Sequence, residues 1–495
     1  MNKRNNWGWA GLTALVLTVG LQGCGSGGED KSAKASNMTV NTPAMLAQVS
    51  ADDYGQNLNG LITAATLKRW KDNWVAQRPA GVTGKLIIFQ VTAGPATATY
   101  IKPDGVNVFT YLSPSTEWLQ TRTNGVIETP SMVLDGPAVD ALLKKYDVDP
   151  VNDMIVTAMG TGTASNAMAQ GRIWYALRYW GLDKKNLAIL NGGNQWINGN
   201  GMVATDFLTT SSTAPNTGTY SVKSLLVDNT QLQATVEDML KVLPLSDLNV
   251  KTDGVMIWDA RSLNQYSAGE MLESGEGDID AVTPGNQVCA AAYCRPGDTS
   301  NYMGSFQNGG SRQGHPWGTL QLQYTHLLDA TKGFAYRTKS ELAAMLSGGT
   351  NALGVGFVDG QYNLVGAGNA YQEGDTIYTY CETTMRAMIT GITGAVILGK
   401  PTRFYDGAMV EWNSLSFLAD LKGNYILPSD SPWRTDLRSF YRPATSSSLV
   451  GLRTITNPYA GSTNSVVNAD KAYKTGEITK TGGSGGAVPS NPCGG

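Results

Sequence analysis

Histidine is nearly absent from this chain: His315 and His326 are the only two in 495 residues. That scarcity excludes a histidine-rich metal site and leaves few candidates for a Cys–His catalytic pair. Charged residues are also scarce, at 16%, against a usual share of about 25%. The formal net charge of -3 carries no basic excess, which argues against nucleic acid as a partner. No Cys-x-x-Cys-His occurs, so the chain itself is no c-type cytochrome. Past the N-terminus there is no second apolar run of about 18 residues, the minimum for a spanning helix. What is plentiful is glycine, 58 residues, with many Ser, Thr and Asn. That composition predicts long loops and a surface solvated by neutral polar groups. Length alone predicts about two to four domains.

The N-terminus sets the compartment. Lys3 and Arg4 precede an apolar core from Trp9 to Leu21, followed by Leu21-Gln22-Gly23-Cys24. The core is too short for a finished transmembrane helix and reads as a signal peptide. Leu-x-Gly-Cys resembles the lipobox of bacterial lipoproteins. The resemblance implies removal of residues 1–23, lipid on Cys24, and a flexible tether over 24–55 that starts GSGGEDKSAKASN. Acyl chains on Cys24 would hold the protein to a membrane surface. Gly25, where an aspartate would signal retention at the inner membrane, implies the outer membrane.

The other cysteines sort by context. Cys289 and Cys294, in CAAAYC, are close in a compartment that permits disulfides. They read either as a local bridge stapling an insertion loop or as a redox pair with wider spacing than Cys-x-x-Cys. Cys493 lies in a Gly/Ser/Pro-rich end and reads as unpaired or intermolecular. Cys381 remains, in TIYTYCETTMRAMITG (376–391). A β-prone alternating stretch runs into it and a helical segment follows, a junction suited to a nucleophile.

Along the chain, β and α patterns alternate. LNGLITAATLKRWKDNW predicts a short strand and an amphipathic helix, and KLIIFQVT a buried strand. DGPAVDALLKKYDV, NDMIVTAM, QGRIWYALRYWGL and LAILNGG continue as helix, strand, helix, strand. Residues 207–221 are rich in Ser, Thr and turn formers and read as a linker, its centre at 211–221. The same order then restarts with the helix TVEDMLKVL and strand GVMIWDAR. It continues through GHPWGTLQL, SELAAML, DTIYTYC, RAMITGITGAVILG and PTRFYDG. LRYWGLDKKNLAILNGGNQW and AVILGKPTRFYDGAMVEW share a helix, a connection, a strand, a Gly turn and a Trp. This is the pattern of a diverged duplication of an α/β, parallel-sheet domain. Residues 426–495 are poor in periodicity and read as a peripheral Ser/Gly-rich tail.

WDARSLNQY (258–266), GHPWG (314–318), YCETTMRA (380–387) and YDGAMVEW (405–412) occur in the order and approximate spacing of a rhodanese domain. LRYWG and LNGGNQW resemble the matching end of an N-terminal rhodanese domain. The resemblance, over roughly 56–425, is to the tandem-domain rhodanese-like sulfurtransferases. It implies two rhodanese-like domains, each a parallel sheet flanked by helices: 56–210 without a cysteine loop, and 222–425 with one.

It implies further that Cys381 is the nucleophile, taking a sulfane sulfur as a persulfide and passing it to a thiol acceptor. Glu382, Thr383, Thr384, Met385 and Arg386 would form the loop around it, Arg386 placed to pair with an anionic donor. Asp259 and Arg261 match an Asp-x-Arg strand end and would organise the floor of the site. His315 matches a structural Gly-His turn, and Trp412 and the aromatics of 174–180 read as core. No cofactor and no metal is implied. Two departures matter. Thr384 stands where the family usually has glycine, and a β-branched residue resists positive φ. Glu382 and Gln265 stand where thiosulfate-using members often carry basic residues, and a carboxylate repels a dianionic donor. The expectation is therefore a membrane-anchored sulfurtransferase with a donor other than thiosulfate. The alternatives are selenite or tellurite handling at the same thiolate, and an accessory role beside a porin or multihaem cytochrome.

Overall fold

The structure, a computed structural model, describes residues 38–56, 59–251, 253–267, 313–416, 427–442 and 454–476. Cys24, Cys289, Cys294 and Cys493 lie outside the described residues, and with them the lipidation and disulfide expectations.

The first half contains, in order, β1 (Gly60–Ile62), α1 (Ala64–Asp72), β2 (Leu86–Gln90) and β3 (Val108–Leu112). An antiparallel arm follows, β4 (Gln120–Thr123) and β5 (Glu128–Met132), and then α2 (Gly136–Tyr146), β6 (Met154–Ala158), α3 (Ala164–Tyr179) and β7 (Leu187–Leu190). The second half repeats the order with β8 (Gln233–Ala234), α4 (Val236–Val242), β9 (Val255–Asp259) and β10 (Leu320–Gln321). Its arm is β11 (Leu328–Asp329) and β12 (Ala335–Tyr336), followed by α5 (Lys339–Leu346), β13 (Thr376–Tyr380), α6 (Ala387–Ile392) and β14 (Thr402–Tyr405). Each half builds a five-stranded parallel sheet, ordered β1-β7-β6-β2-β3 and β8-β14-β13-β9-β10. The fold class is α/β, and the duplication extends to strand order.

Local chemistry explains the elements. LIIFQ, MIVTA and LAIL are buried throughout, as strands covered on both faces must be. The side chains of Asp135, Thr163 and Thr338 cap α2, α3 and α5 by accepting from backbone N–H groups, and Thr338 forms a capping box with Glu341. From Ala167 to Tyr179 every residue of α3 is buried, the signature of a helix enclosed on all sides. Its neighbour is α6. At Gly171 an added Cβ would lie 2.9 Å from Met388 Cβ, so glycine sets the approach of the two helices. The segment expected as one helix over 386–399 is α-helical to Ile392 and then widens into a π-turn, Thr393–Ile397.

Two peripheral expectations are corrected. The tether expected to be flexible through residue 55 is instead packed: Thr39–Val40 pairs with Val227–Asp228, Leu46 is fully buried, and Gln48 N, Ser50 N and the Ser50 hydroxyl donate to the carbonyls of Ala395, Ile397 and Val396. In the tail, Ser439–Arg442 pairs with Gln313–Pro316, and a helix spans Ser465–Thr475. That helix docks through polar side chains: Asp470 accepts from Arg122 and Tyr179, and Lys474 donates to the carbonyls of Trp180 and Val227. Among the described residues no helix is long and apolar enough to cross a membrane, and no cluster of three or more His, Cys, Asp or Glu could hold a metal ion.

The halves exchange their arms. Asn191, just past β7, accepts from Tyr336 N of the second half's arm at 2.7 Å. Asp406, just past β14, accepts from Val133 N beside the first half's arm, also at 2.7 Å. Each arm thus closes over the carboxyl ends of the other half's strands, where ligands bind in open α/β sheets.

Candidate active site

Cys381 follows β13 directly and is fully buried, as are its loop neighbours Glu382, Thr383, Thr384, Met385 and, at 9% exposure, Arg386. The loop is fixed from two sides. Met409 N donates to Cys381 O and Val410 N to Glu382 O, both at 3.0 Å, so α7 (Ala408–Ser414) holds its backbone. Thr384 takes φ 64, the left-handed conformation that favours glycine and strains a β-branched residue. Its hydroxyl donates to Tyr405 O and Asp406 O at 3.0 and 2.9 Å. Positive φ is adopted despite the β-branch, and the hydroxyl supplies anchors that glycine lacks.

Beneath the loop lies a buried charge network. Arg261 Nε and Nη2 engage both oxygens of Asp259 at 2.6–3.0 Å, and Nη2 also donates to Gly314 O. Tyr380 O–H donates to Asp259 at 2.9 Å. Burial works against the Arg261 charge, but Asp259 outweighs it and holds its proton more tightly than usual. Arg261 Nη1 reaches Glu382 Oε2 at 3.5 Å, while Arg386 Nη1 donates to Gln265 Oε1 at 2.6 Å. Burial raises the Glu382 carboxyl above the ordinary range, with Arg261 and Arg386 pulling it down and Cys381 adding to the rise. Asp259, Arg261, Glu382 and Arg386 therefore meet around Cys381, two cations and two carboxylates. His315 is held by Tyr266 O and the Asp247 carboxylate, at 2.9 and 3.0 Å. Trp412 is buried in the core, as are Trp174, Tyr175, Tyr179 and Trp180.

The first half serves as an internal control. Gln90 pairs with Ala158 as Asp259 pairs with Tyr380, so Met159 stands where Cys381 stands, and Gln90 and Thr92 replace Asp259 and Arg261. The network is thus confined to the half with the cysteine. The equivalent loop of the first half is closed by the partner arm. Gly193 N donates to Gly333 O at 2.8 Å, and a Cβ on Gly162 would lie 2.5 Å from that oxygen. A cleft of ≈ 270 Å³ nearby, lined by Tyr54, Asn191, Trp196, Arg337 and Glu341 among others, contains none of the sequence-predicted site residues.

Residues without a sequence signal complete the site. Glu411 accepts from Tyr405 O–H at 2.7 Å and from Asn124 Nδ2, in the first half's arm, at 2.5 Å. Burial pushes its carboxyl up to about 7 despite these donors. A folded-state value above the unfolded one means that stability is full below the unfolded value of 4.5 and is lost as pH rises through about 7. The loss amounts to about 3 kcal/mol at most. Glu411→Gln is expected to flatten the fall in urea midpoint between pH 5 and 8; an unchanged slope would assign that fall to other groups.

No protein-family model matches the chain, and no curated relative does. Among solved structures, the chain is similar to the anaerobic ergothioneine biosynthesis enzyme from Chlorobium limicola, bound to trimethyl histidine, at 13% identity and TM-score 0.45, covering 74% of this chain and 70% of that one. It is similar also to the 3-mercaptopyruvate sulfotransferase SseA from Escherichia coli, described as having the "Rhodanese" fold, at 15% identity and TM-score 0.40, covering 71% and 98%. A third similarity is to the Tum1 protein from Saccharomyces cerevisiae, at 15% identity and TM-score 0.39, covering 72% and 95%.

Proposed function

We propose that this protein is a rhodanese-like sulfurtransferase that carries sulfane sulfur on Cys381. The observation that carries the reading is the cysteine's setting. It directly follows a central parallel strand, in a loop held in left-handed conformation at Thr384 and set over the Asp259–Arg261–Glu382–Arg386 network. The four motifs of the second half support it from sequence. In the first step the Cys381 thiolate attacks the terminal sulfur of a donor S–X. The new S–S bond forms from the thiolate pair, and X leaves with the pair of the broken S–X bond. In the second step an acceptor thiol attacks the outer sulfur, and the S–S electron pair returns to Cys381. Backbone N–H groups of the loop and the start of α6 would stabilise the anionic sulfur without a histidine base.

The proposal includes placement outside the cytoplasm, attached by lipid on Cys24 to the outer membrane; the lipobox resemblance supports that part. Mass spectrometry of the purified protein, after exposure to polysulfide, thiosulfate and mercaptopyruvate, tests the chemistry. The expected result is a gain of one sulfur on the Cys381 peptide, reversed by a thiol. No adduct with any donor would turn the reading toward the accessory role.

A further inference from the structure

The charges around Cys381 are largely committed inside the protein. Asp259 takes Arg261 Nε and Nη2, the Arg261 backbone N–H and the Tyr380 hydroxyl. Arg386 donates to Gln265, and Arg261 to Gly314 O. Of the two carboxylates, Glu382 is the less satisfied. Its Oε2 has the long Arg261 contact, and its Oε1, fully shielded from water, has no hydrogen-bond partner. A buried carboxylate oxygen left without a donor costs about 1–3 kcal/mol or more, and such a group calls for an explanation. With both carboxylates ionised the four charges sum to zero, so a Cys381 thiolate or persulfide makes the site anionic. Any second anion entering would meet that charge.

We infer that Glu382 is a specificity residue whose Oε1 receives an N–H donor from the sulfur acceptor, and that the acceptor is a small thiol bearing a cationic ammonium or amidinium group a short link from its sulfur. The inference rests on the sulfurtransferase reading and names the acceptor class for the same site. The acceptor thiol R–SH attacks the outer sulfur of the Cys381 persulfide. A new S–S bond joins R to that sulfur, the old S–S pair returns to Cys381 as thiolate, and the proton stays on the product, R–S–SH. The ammonium, held against Glu382, orients the acceptor sulfur toward Cys381 throughout.

The test compares three acceptors of similar size with the persulfide-loaded full chain: cysteamine, mercaptoethanol and mercaptopropionate, with rates referred to the thiolate concentration of each. The expected kcat/KM for cysteamine exceeds that for mercaptopropionate by at least about tenfold, the worth of one charged hydrogen bond. In Glu382→Gln the ratio should fall toward one. A wild-type ratio near or below one overturns the inference whether or not the variant folds, and so does a ratio unchanged in a folded Glu382→Gln. Loading is measured first. Failure to form any Cys381 persulfide rejects the sulfurtransferase reading itself, whereas a loaded enzyme indifferent to acceptor charge rejects only the acceptor class.

Discussion

Replacing Cys381 with serine is expected to lower sulfur transfer by at least about 10³-fold, with the fold retained. The size follows from the chemistry. A serine hydroxyl at this site has no adjacent base and cannot form the polarizable S–S intermediate, so both steps of the covalent route vanish together. A 10³-fold loss is about 4 kcal/mol of transition-state stabilisation, more than any single loop hydrogen bond supplies. The structural cost is smaller. Cys381 is completely buried, and a hydroxyl placed there costs roughly 1–3 kcal/mol if it finds no partner. Cys381→Ala removes the nucleophile without adding that hydroxyl and should match the serine variant in rate while melting closer to the parent. Steady-state transfer from each donor, with circular dichroism as the fold control, measures both. Transfer persisting within tenfold of the parent in both variants would move the chemistry to another cysteine.

The residues around Cys381 differ in how far sequence could reach them. The strands were legible because LIIFQ, MIVTA and LAIL are apolar runs, and the network was legible as the Asp-x-Arg and Cys-x-x-x-x-Arg motifs. Thr384 was legible only as a misfit. That its hydroxyl would find two carbonyls depends on Tyr405 and Asp406, brought in by a neighbouring parallel strand. Asn124 and Glu411 meet because the arms are exchanged, and no local pattern encodes a contact across 287 positions. The tail helix failed for a different reason. Its inward positions Val466, Asp470 and Lys474 are mostly polar, so burial there leaves no hydrophobic period to detect. Long-range polar pairing, not weak propensity, is what hid these parts.

The same kind of pairing carries the second large expectation. Arg172, in the helix between the halves, pairs with Asp406 at 2.5 Å, and both side chains are completely buried. Arg172→Met should destabilise the protein by about 3–5 kcal/mol, because it leaves the buried Asp406 carboxyl without its partner. That is a large part of the 5–15 kcal/mol that stabilises a typical protein. The first half indicates how the loss can be undone. Asn191, the counterpart of Asp406, holds the opposite arm through Tyr336 N with a neutral amide. Adding Asp406→Asn to Arg172→Met should therefore restore most of the stability, since the amide oxygen can still accept from Val133 N. The two single variants and the double, compared by urea midpoint, form a cycle whose coupling is expected at 2 kcal/mol or more, roughly the range for buried contacts. Thr384 also bonds to Asp406 O, so the single Arg172 variant should load sulfur on Cys381 more slowly and the double should recover. Recovery of stability without recovery of loading would show that the ion pair sets the loop's position, beyond joining the two halves. Additive losses would remove Arg172–Asp406 as the connection between them.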